Sequence, residues 1–242
     1  MKNPRKEQTL WQSTIPIRCG KRGFTLTELL VVTGIIAVLA ALSLPVMNRF
    51  RDAAHAATCM SNLRQVGSSL LMYAHDNHQK LPSLQSEPSR ETGRRGPIWP
   101  VQLARAGYMW DGQGTLPCGT GAWTCPKCDY MADTYGGYGV AEDSVIVYGE
   151  RRPVGVREPG SLRLNRIARP ENTWLVGDAA KHPDTPDQGW YAIWAMPDRW
   201  SGGHAPAERH GGKVHVCMAD GHVQALTREE IRERRITYAV VD

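Results

Sequence analysis

Residues 21–32 read KRGFTLTELLVV and lead from a basic N-terminus into a long apolar segment. From Leu26 to Met47 the chain is apolar except at six positions, which are Thr27, Glu28, Thr33, Gly34, Ser43 and Pro45. About 20 apolar residues are enough for one helix to cross the hydrocarbon core of a bilayer. The segment therefore predicts a single membrane-spanning helix near the N-terminus.

The net positive charge of the chain belongs to its first residues. Of the 29 basic and 24 acidic residues, six basic residues and one acid lie in residues 1–23, which leaves 23 of each for the rest. The formal charge of +5 is therefore no argument for a nucleic-acid partner, and none is expected. Because basic residues are denser before the apolar segment than after it, we expect a cytoplasmic N-terminus and an exported C-terminal body.

The residues around Gly23 and Phe24 resemble a known processing signal. A basic pair, Gly, Phe, an acidic residue four positions later and an apolar run together resemble the prepilin cleavage and methylation motif of type IV pilins and type II secretion pseudopilins. The resemblance implies that prepilin peptidase cuts after Gly23 and that Phe24 becomes a methylated N-terminus. It also implies that Glu28, fifth in the mature chain, meets the free amine of a neighbouring subunit during assembly.

This resemblance predicts a structural subunit of a type IV pilus-like filament or of a type II secretion pseudopilus. The expected location is the bacterial inner membrane, crossed once by the precursor. The expected partners are prepilin peptidase, other pilin or pseudopilin subunits and the membrane, and neither enzymatic activity nor a cofactor is expected. The alternative is a membrane-anchored, exported metal-binding or enzymatic domain that uses a prepilin-type signal.

Glu28 also has a purely local interpretation. Thr25-Leu26-Thr27-Glu28 has the spacing of a capping box, in which the first and fourth residues each bond the other's backbone amide at the start of a helix. The local role and the assembly role can follow one another in time.

Beyond the apolar segment the hydrophobic residues continue at helical spacing. They recur at threes and fours, at Phe50, Ala53, Ala57, Met60, Leu63, Val66, Leu70 and Ala74. After a cleaved leader at 1–23, residues 24–78 are therefore predicted to form a stem helix that spans the membrane, bends at Pro45 and then becomes amphipathic. Residues 79–242 are predicted to form an exported pilin-like domain. The expected fold class is α+β, with the stem packed on a small antiparallel sheet with extended loops.

Three cysteines lie close together in the predicted globular domain. Cys125 and Cys128 form a Cys-x-x-Cys pair, and Cys118 precedes them. Because the domain is expected to be exported, the trio favours a disulfide from Cys118 to Cys125 or to Cys128. The alternatives are a zinc site with a distant histidine as fourth ligand, and free thiols. Cleavage removes Cys19 and leaves five cysteines, of which Cys59 on the stem is expected to be free.

Two alternating runs near the C-terminus are joined by Ala219-Asp220-Gly221 and predict a β-hairpin. The segment from His210 to Gly221 also resembles the H-x9-DG motif found in a large group of bacterial pseudopilin-like proteins. In members of that group the motif follows a Cys-Pro element and a strand ending in Gly-Asp, which Cys125-Pro126 and Gly177-Asp178 match.

Histidines and aspartates are frequent in the same half of the chain, at Asp178, His204, His210, His215, Asp220 and His222. Such residues can bind a metal and activate water, but no hydrolase motif accompanies them and no catalytic site is predicted. His215 alternates with Val214 and Val216 and is expected to face solvent. Calcium is a further alternative, with Asp178, Asp184, Asp187 or Asp220 as candidate ligands, but their spacing is not that of an EF-hand.

Overall fold

The computed structural model describes residues 23–86, 96–109, 121–128, 136–147, 149, 151 and 160–241. The chain forms two compact units, one ending at Met47 and one beginning at Asn48. Helix α1, Leu26–Asp76, contributes residues to both units.

The N-terminal unit is represented by the first part of α1. Every residue from Gly23 to Ser43 is exposed, including Phe24 at 82% and Leu30 at 65%. The described residues contain one helix that is long and apolar enough to cross a membrane, and it is α1. The prediction of one apolar helix compatible with single-pass anchoring is therefore confirmed.

In the second unit α1 buries a stripe made of Cys59, Leu63, Val66, Leu70 and Ala74, all 0% exposed. The predicted stripe from Leu63 to Ala74 is confirmed. The predicted earlier positions differ, since Phe50, Ala53 and Ala57 are exposed and Met60 is half-buried. The reason is the 3.6-residue period of the helix: after the three-residue step from Val66 to Leu63, a four-residue step leads back to Cys59.

Seven strands form one sheet in the described part of the chain: β1 (Tyr138–Glu142), β2 (Trp174–His182), β3 (Thr185–Gly189), β4 (Ala192–Trp194), β5 (Ala205–Pro206), β6 (Val214–Met218) and β7 (Val223–Leu226). The strand order is β4-β1-β2-β6-β7, and β3 and β5 both pair with β2. All pairs are antiparallel except β1 with β4. The predicted α+β class is confirmed. The sheet is mixed rather than wholly antiparallel, because the connection from β1 to β4 passes through β2 and β3 and allows a parallel return.

The described residues also form two short α-helices, α2 (Trp99–Arg105) and α3 (Arg228–Arg234). Thr227 caps α3 with a capping box: the Glu230 amide donates to Thr227 Oγ1 at 3.1 Å and the Thr227 amide donates to Glu230 Oε2 at 2.6 Å. The predicted C-terminal hairpin is present as β6 and β7, and Gly221 takes the positive φ of 92° that the turn requires.

Hydrophobic cores lie on both faces of the sheet. One core contains the α1 stripe together with Trp99, Leu175 of β2 and Cys217 of β6. The other contains Trp174 of β2 and Ile231 of α3. Because both faces are covered, β6 is buried along its whole length and β2 along all but its last two residues. Polar side chains of these strands are therefore enclosed.

Candidate functional site

The N-terminal junction is exposed and begins α1. The Glu28 amide donates to Thr25 Oγ1 at 3.2 Å, and the Thr25 amide donates to Glu28 Oε2 at 2.8 Å. The capping-box interpretation of Glu28 is therefore confirmed. Its predicted assembly role stays a prediction, as do cleavage after Gly23 and methylation of Phe24.

Two of the three clustered cysteines, Cys125 and Cys128, lie in the described part of the chain. Cys118 lies outside the described residues. Cys125 and Cys128 lie on the turn after a 3-10 helix at Gly121–Trp123, and both are buried. Cys125 is a free thiol, which contradicts the expected pairing of Cys118 with Cys125, and Cys59 is free as predicted. The ligand atom of Cys125 belongs to a group that includes Cys59 and not Cys128.

That group is a buried cluster of four residues, Cys59, Cys125, Asp178 and His210, called the four-residue cluster below. One sulfur, nitrogen or oxygen atom from each residue lies within 4.8 Å of each of the others. The Cys59 Sγ lies 3.4 Å from Asp178 Oδ1, and the Cys125 Sγ lies 3.3 Å from His210 Nε2. Three of the residues are 0% exposed and His210 is 8% exposed. Water is largely excluded from the centre of the group.

Four separate segments supply the cluster. Cys59 is the first buried position of the α1 stripe, and Cys125 lies on the turn that follows the 3-10 helix. Asp178 lies within β2, where the alternation of the strand turns the next residue, Ala179, into the opposite core. His210 lies in the connection from β5 to β6. The cluster is thus a product of the tertiary fold.

Asp178 is the most connected member of the cluster. Its Oδ1 lies 3.3 Å from Arg209 Nη1, and its Oδ2 accepts the backbone amide of His215 at 2.9 Å. Arg209 is itself held by donating to the carbonyl oxygens of Gly137 at 3.0 Å and of Ala179 at 2.6 Å. Burial raises the pKa of Asp178 to about 7, the nearby Cys125 adds to the rise, and Arg209 opposes it.

The pKa values of the two cluster thiols are shifted in opposite directions. The hydrogen bond from Cys59 lowers the pKa of Cys125 well below its ordinary value, and His210 and Arg209 act in the same direction against the effect of burial. Burial raises the pKa of Cys59. Cys125 is therefore the sulfur that carries negative charge most readily.

His215 lies beside the cluster, and the prediction that it faces solvent is wrong. Its ring stacks on that of His210, with centroids 4.3 Å apart and planes 8° apart. Alternation does place it opposite Val214 and Val216, but that face of β6 is covered as well, and the residue is 3% exposed. Burial lowers the pKa of His215 to about 4.

The other histidines considered from sequence lie elsewhere. His222 Nδ1 lies 2.6 Å from Asp220 Oδ1 in the β6–β7 turn, and the Asp220 carboxylate also accepts the His222 amide at 3.1 Å. The His204 ring packs against that of Trp194, with centroids 5.0 Å apart and planes tilted by 41°. Of the six candidate residues, the structure therefore brings together Asp178, His210 and His215.

Sequence reasoning missed Cys59 and Arg209 as members of this site. Cys59 lies four positions before Leu63, so extending the buried stripe backward at helical spacing would have placed it in the core. Arg209 directly precedes His210 but carries no motif that distinguishes it from a surface arginine.

Residues 18–44 match a family model described as the prokaryotic N-terminal methylation motif. The chain carries this prepilin-type methylation motif. The motif supports a type IV pilin-like or pseudopilin precursor, and it implies processing by prepilin peptidase and assembly with other pilin subunits. No curated protein and no solved structure matches the chain.

The methylation motif covers the exposed first part of α1 and ends at residue 44. It therefore includes no residue of the sheet or of the four-residue cluster. The match therefore concerns the N-terminal unit and includes no residue of the globular domain.

Proposed function

We propose that the mature chain is a structural subunit of a type IV pilus-like filament or of a type II secretion pseudopilus, without enzymatic activity. The observation that carries this proposal is the methylation motif running directly into a helix whose apolar side chains are exposed from Leu26 to Ser43. Exposed apolar surface costs about 25 cal/mol per Å² in water. Lipid covers this surface in the precursor, and the helices of other subunits cover it in the filament.

In this proposal the precursor crosses the bacterial inner membrane once. The basic residues before the apolar segment keep the N-terminus in the cytoplasm, and the domain that follows α1 is exported. Prepilin peptidase then removes the leader after Gly23, which creates a new amine on Phe24.

Glu28 acquires a second role after cleavage. A carboxylate within hydrocarbon is costly unless a cation meets it. Both bonds from Thr25 to the carboxylate use Oε2, so Oε1 is the oxygen offered to the Phe24 amine of a neighbouring subunit. The capping box orders the carboxylate before assembly, and the amine neutralises it afterwards.

The mature N-terminus tests the processing step. Mass spectrometry of protein from membranes is expected to find methylated Phe24 at the N-terminus, and Gly23→Glu is expected to leave the leader attached. Gly20→Glu adds the same charge three residues earlier and is the control, which is expected to be cut normally. A mature N-terminus beyond the apolar segment would contradict the proposal.

A matched pair of variants tests the assembly role of Glu28. Glu28→Gln removes the charge, whereas Thr25→Ala removes the side-chain half of the capping box and keeps the charge. In cells that contain the rest of the assembly system, Glu28→Gln is expected to be processed but absent from sheared filaments or from cross-linked multimers. Thr25→Ala is expected to assemble. Equal loss in both variants would mean that Glu28 acts only through the cap.

A further inference from the structure

We propose that the globular domain contains a structural zinc site whose four ligands are Cys59 Sγ, Cys125 Sγ, one carboxylate oxygen of Asp178 and His210 Nε2. The site goes beyond the filament role, because it concerns how the subunit is held together rather than what it assembles into. It also differs from the cysteine trio predicted from sequence, with which it shares Cys125 alone.

The geometry of the cluster fits a tetrahedral ion. Zinc bonds of about 2.0–2.3 Å at tetrahedral angles place neighbouring ligand atoms about 3.3–3.8 Å apart. Cys125 Sγ lies 3.3 Å from His210 Nε2, and Asp178 Oδ2 lies 3.7 Å from both Cys59 Sγ and His210 Nε2. The remaining separations stay within 4.8 Å. Small side-chain movements would bring all four ligand atoms within bonding distance of one zinc ion.

The donor set selects zinc over other common divalent ions. Two sulfurs and one imidazole nitrogen suit zinc, whereas calcium and magnesium take oxygen ligands. The same argument opposes calcium at Asp178, whose nearest metal-binding neighbours are sulfur and nitrogen. Four protein ligands, all buried, leave no coordination position for water, which is the pattern of a structural rather than a catalytic site.

The charges at the site balance when the ion is included. Two thiolates and one carboxylate around a divalent ion leave one negative charge, and the buried guanidinium of Arg209, 3.3 Å from Asp178, neutralises it. The same anionic groups without a cation would leave buried charge unpaired, which is costly. Arg209 and the His215 amide act as outer partners that hold the carboxylate in place.

The site brings together three sequence elements that are far apart in the chain. Cys125-Pro126, Gly177-Asp178 and the first residue of the H-x9-DG segment, His210, all meet at the same point. The other end of that segment, Asp220-Gly221, forms the β6–β7 turn. The ion fastens α1, through Cys59, to a loop, a central strand and the β5–β6 connection.

Metal content of the full-length mature chain, purified in detergent, tests the proposal first. Elemental analysis is expected to find one zinc per chain. Replacement by cobalt is expected to give the visible bands of a tetrahedral site and the charge-transfer absorption of two thiolate ligands. Removal of zinc with a chelator is expected to lower Tm by about 10 °C or more, and added zinc is expected to restore it.

Single substitutions assign the ligands. Cys59→Ser and His210→Ala are expected to lose stoichiometric zinc. The matched control is Cys217→Ser, since Cys217 is another fully buried cysteine in contact with α1 but outside the cluster, and it is expected to retain the ion. Cys128→Ser is also expected to retain it. Zinc lost from Cys128→Ser and kept in Cys59→Ser would overturn the assignment and favour the trio with Cys118.

Two further results would overturn the site whatever the variants do. One is a mature wild-type chain that neither contains zinc nor takes up zinc or cobalt at micromolar concentration. The other is a disulfide between Cys59 and Cys125, detected by peptide mapping without reduction, because oxidised sulfurs cannot act as two thiolate ligands. The cobalt spectrum counts thiolates in the wild-type chain, so the test remains decisive if a variant fails to fold.

Discussion

The two parts of α1 have opposite surroundings. Between Leu26 and Ser43 the apolar side chains are exposed, with Leu39 at 59%, whereas between Cys59 and Ala74 the apolar stripe is fully buried. Both parts belong to one continuous helix. Other described segments of the chain therefore cover the second part, whereas in the proposed function lipid or other subunits cover the first.

The same substitution in both parts is expected to have the largest effect on this comparison. Leu63→Ala removes a fully buried side chain and is expected to lower the free energy of unfolding of the globular domain by about 2–5 kcal/mol. Leu39→Ala is expected to change it by less than about 0.5 kcal/mol. Urea unfolding of the mature chain in detergent, followed by tryptophan fluorescence, measures both. Similar losses in the two variants would break the comparison.

Two glycines of α1 provide a second matched pair. A Cβ at Gly67 would contact Cys217 Sγ, whereas a Cβ at Gly34 would have nothing within 4 Å. Gly67→Ala is expected to cost about 1–3 kcal/mol of overpacking, partly offset by about 1 kcal/mol of better helix propensity. Gly34→Ala is expected to leave the unfolding of the globular domain unchanged.

Cys217→Ala in the Gly67→Ala background is the control for this mechanism. Removal of the sulfur is expected to restore most of the stability lost by Gly67→Ala, as a double-mutant cycle would measure. Additive losses would show that the close approach of α1 to β6 is not the cause.

The two capping boxes form a third pair with a smaller effect. Thr227→Ala removes the cap of α3, whose Ile231 is buried in the second core, and is expected to cost about 1 kcal/mol of unfolding free energy. Thr25→Ala removes the corresponding cap from the exposed start of α1 and is expected to have no effect on the same measurement. A loss in Thr25→Ala would mean that the start of α1 contributes to the stability of the domain.

The charge on Glu230 gives the smallest expected effect, and it depends on pH. The hydrogen bond from the Thr227 amide lowers the pKa of Glu230 below its ordinary value of 4.5. A lowered pKa in the folded state means that the stabilisation is complete above pH 4.5 and is lost as the pH falls through the folded value. The stability difference between wild type and Glu230→Gln is therefore expected to disappear at acid pH.

Glu229→Gln is the control for this titration. It removes a charge from the same first turn of α3, but Glu229 takes no part in the capping box. The same pH dependence in both differences would assign the effect to the helix dipole rather than to the cap.

The elements with a clear repeating hydrophobic pattern were predictable from sequence. The stem helix was predicted at 24–78 and is observed at Leu26–Asp76, because apolar spacing over many turns gives a strong signal. The β6–β7 hairpin was predictable because Asp220-Gly221 separates two alternating runs. Strands β4 and β5, of three and two residues, are too short to show any period, so the mixed character of the sheet could not be foreseen.

The candidate site was predictable in its parts but not in its composition. Cys125, Asp178 and His210 each belonged to a noticed motif, yet nothing in the sequence indicated that they meet, because their proximity arises from tertiary packing. The error at His215 has a related cause. Alternation shows which residues share a face of a strand, but a sheet covered on both faces has no solvent side.

The spacing of the cluster along the chain also sets an order of events. Asp178 lies 119 positions after Cys59, and His210 lies further on still. In the proposed topology Cys59 leaves the membrane early, while the residues that cover it emerge much later, and contacts between such distant residues form slowly. Until then the α1 stripe stays uncovered and vulnerable to proteases and to aggregation. In that topology, folding finishes at the part of the domain that is exported first.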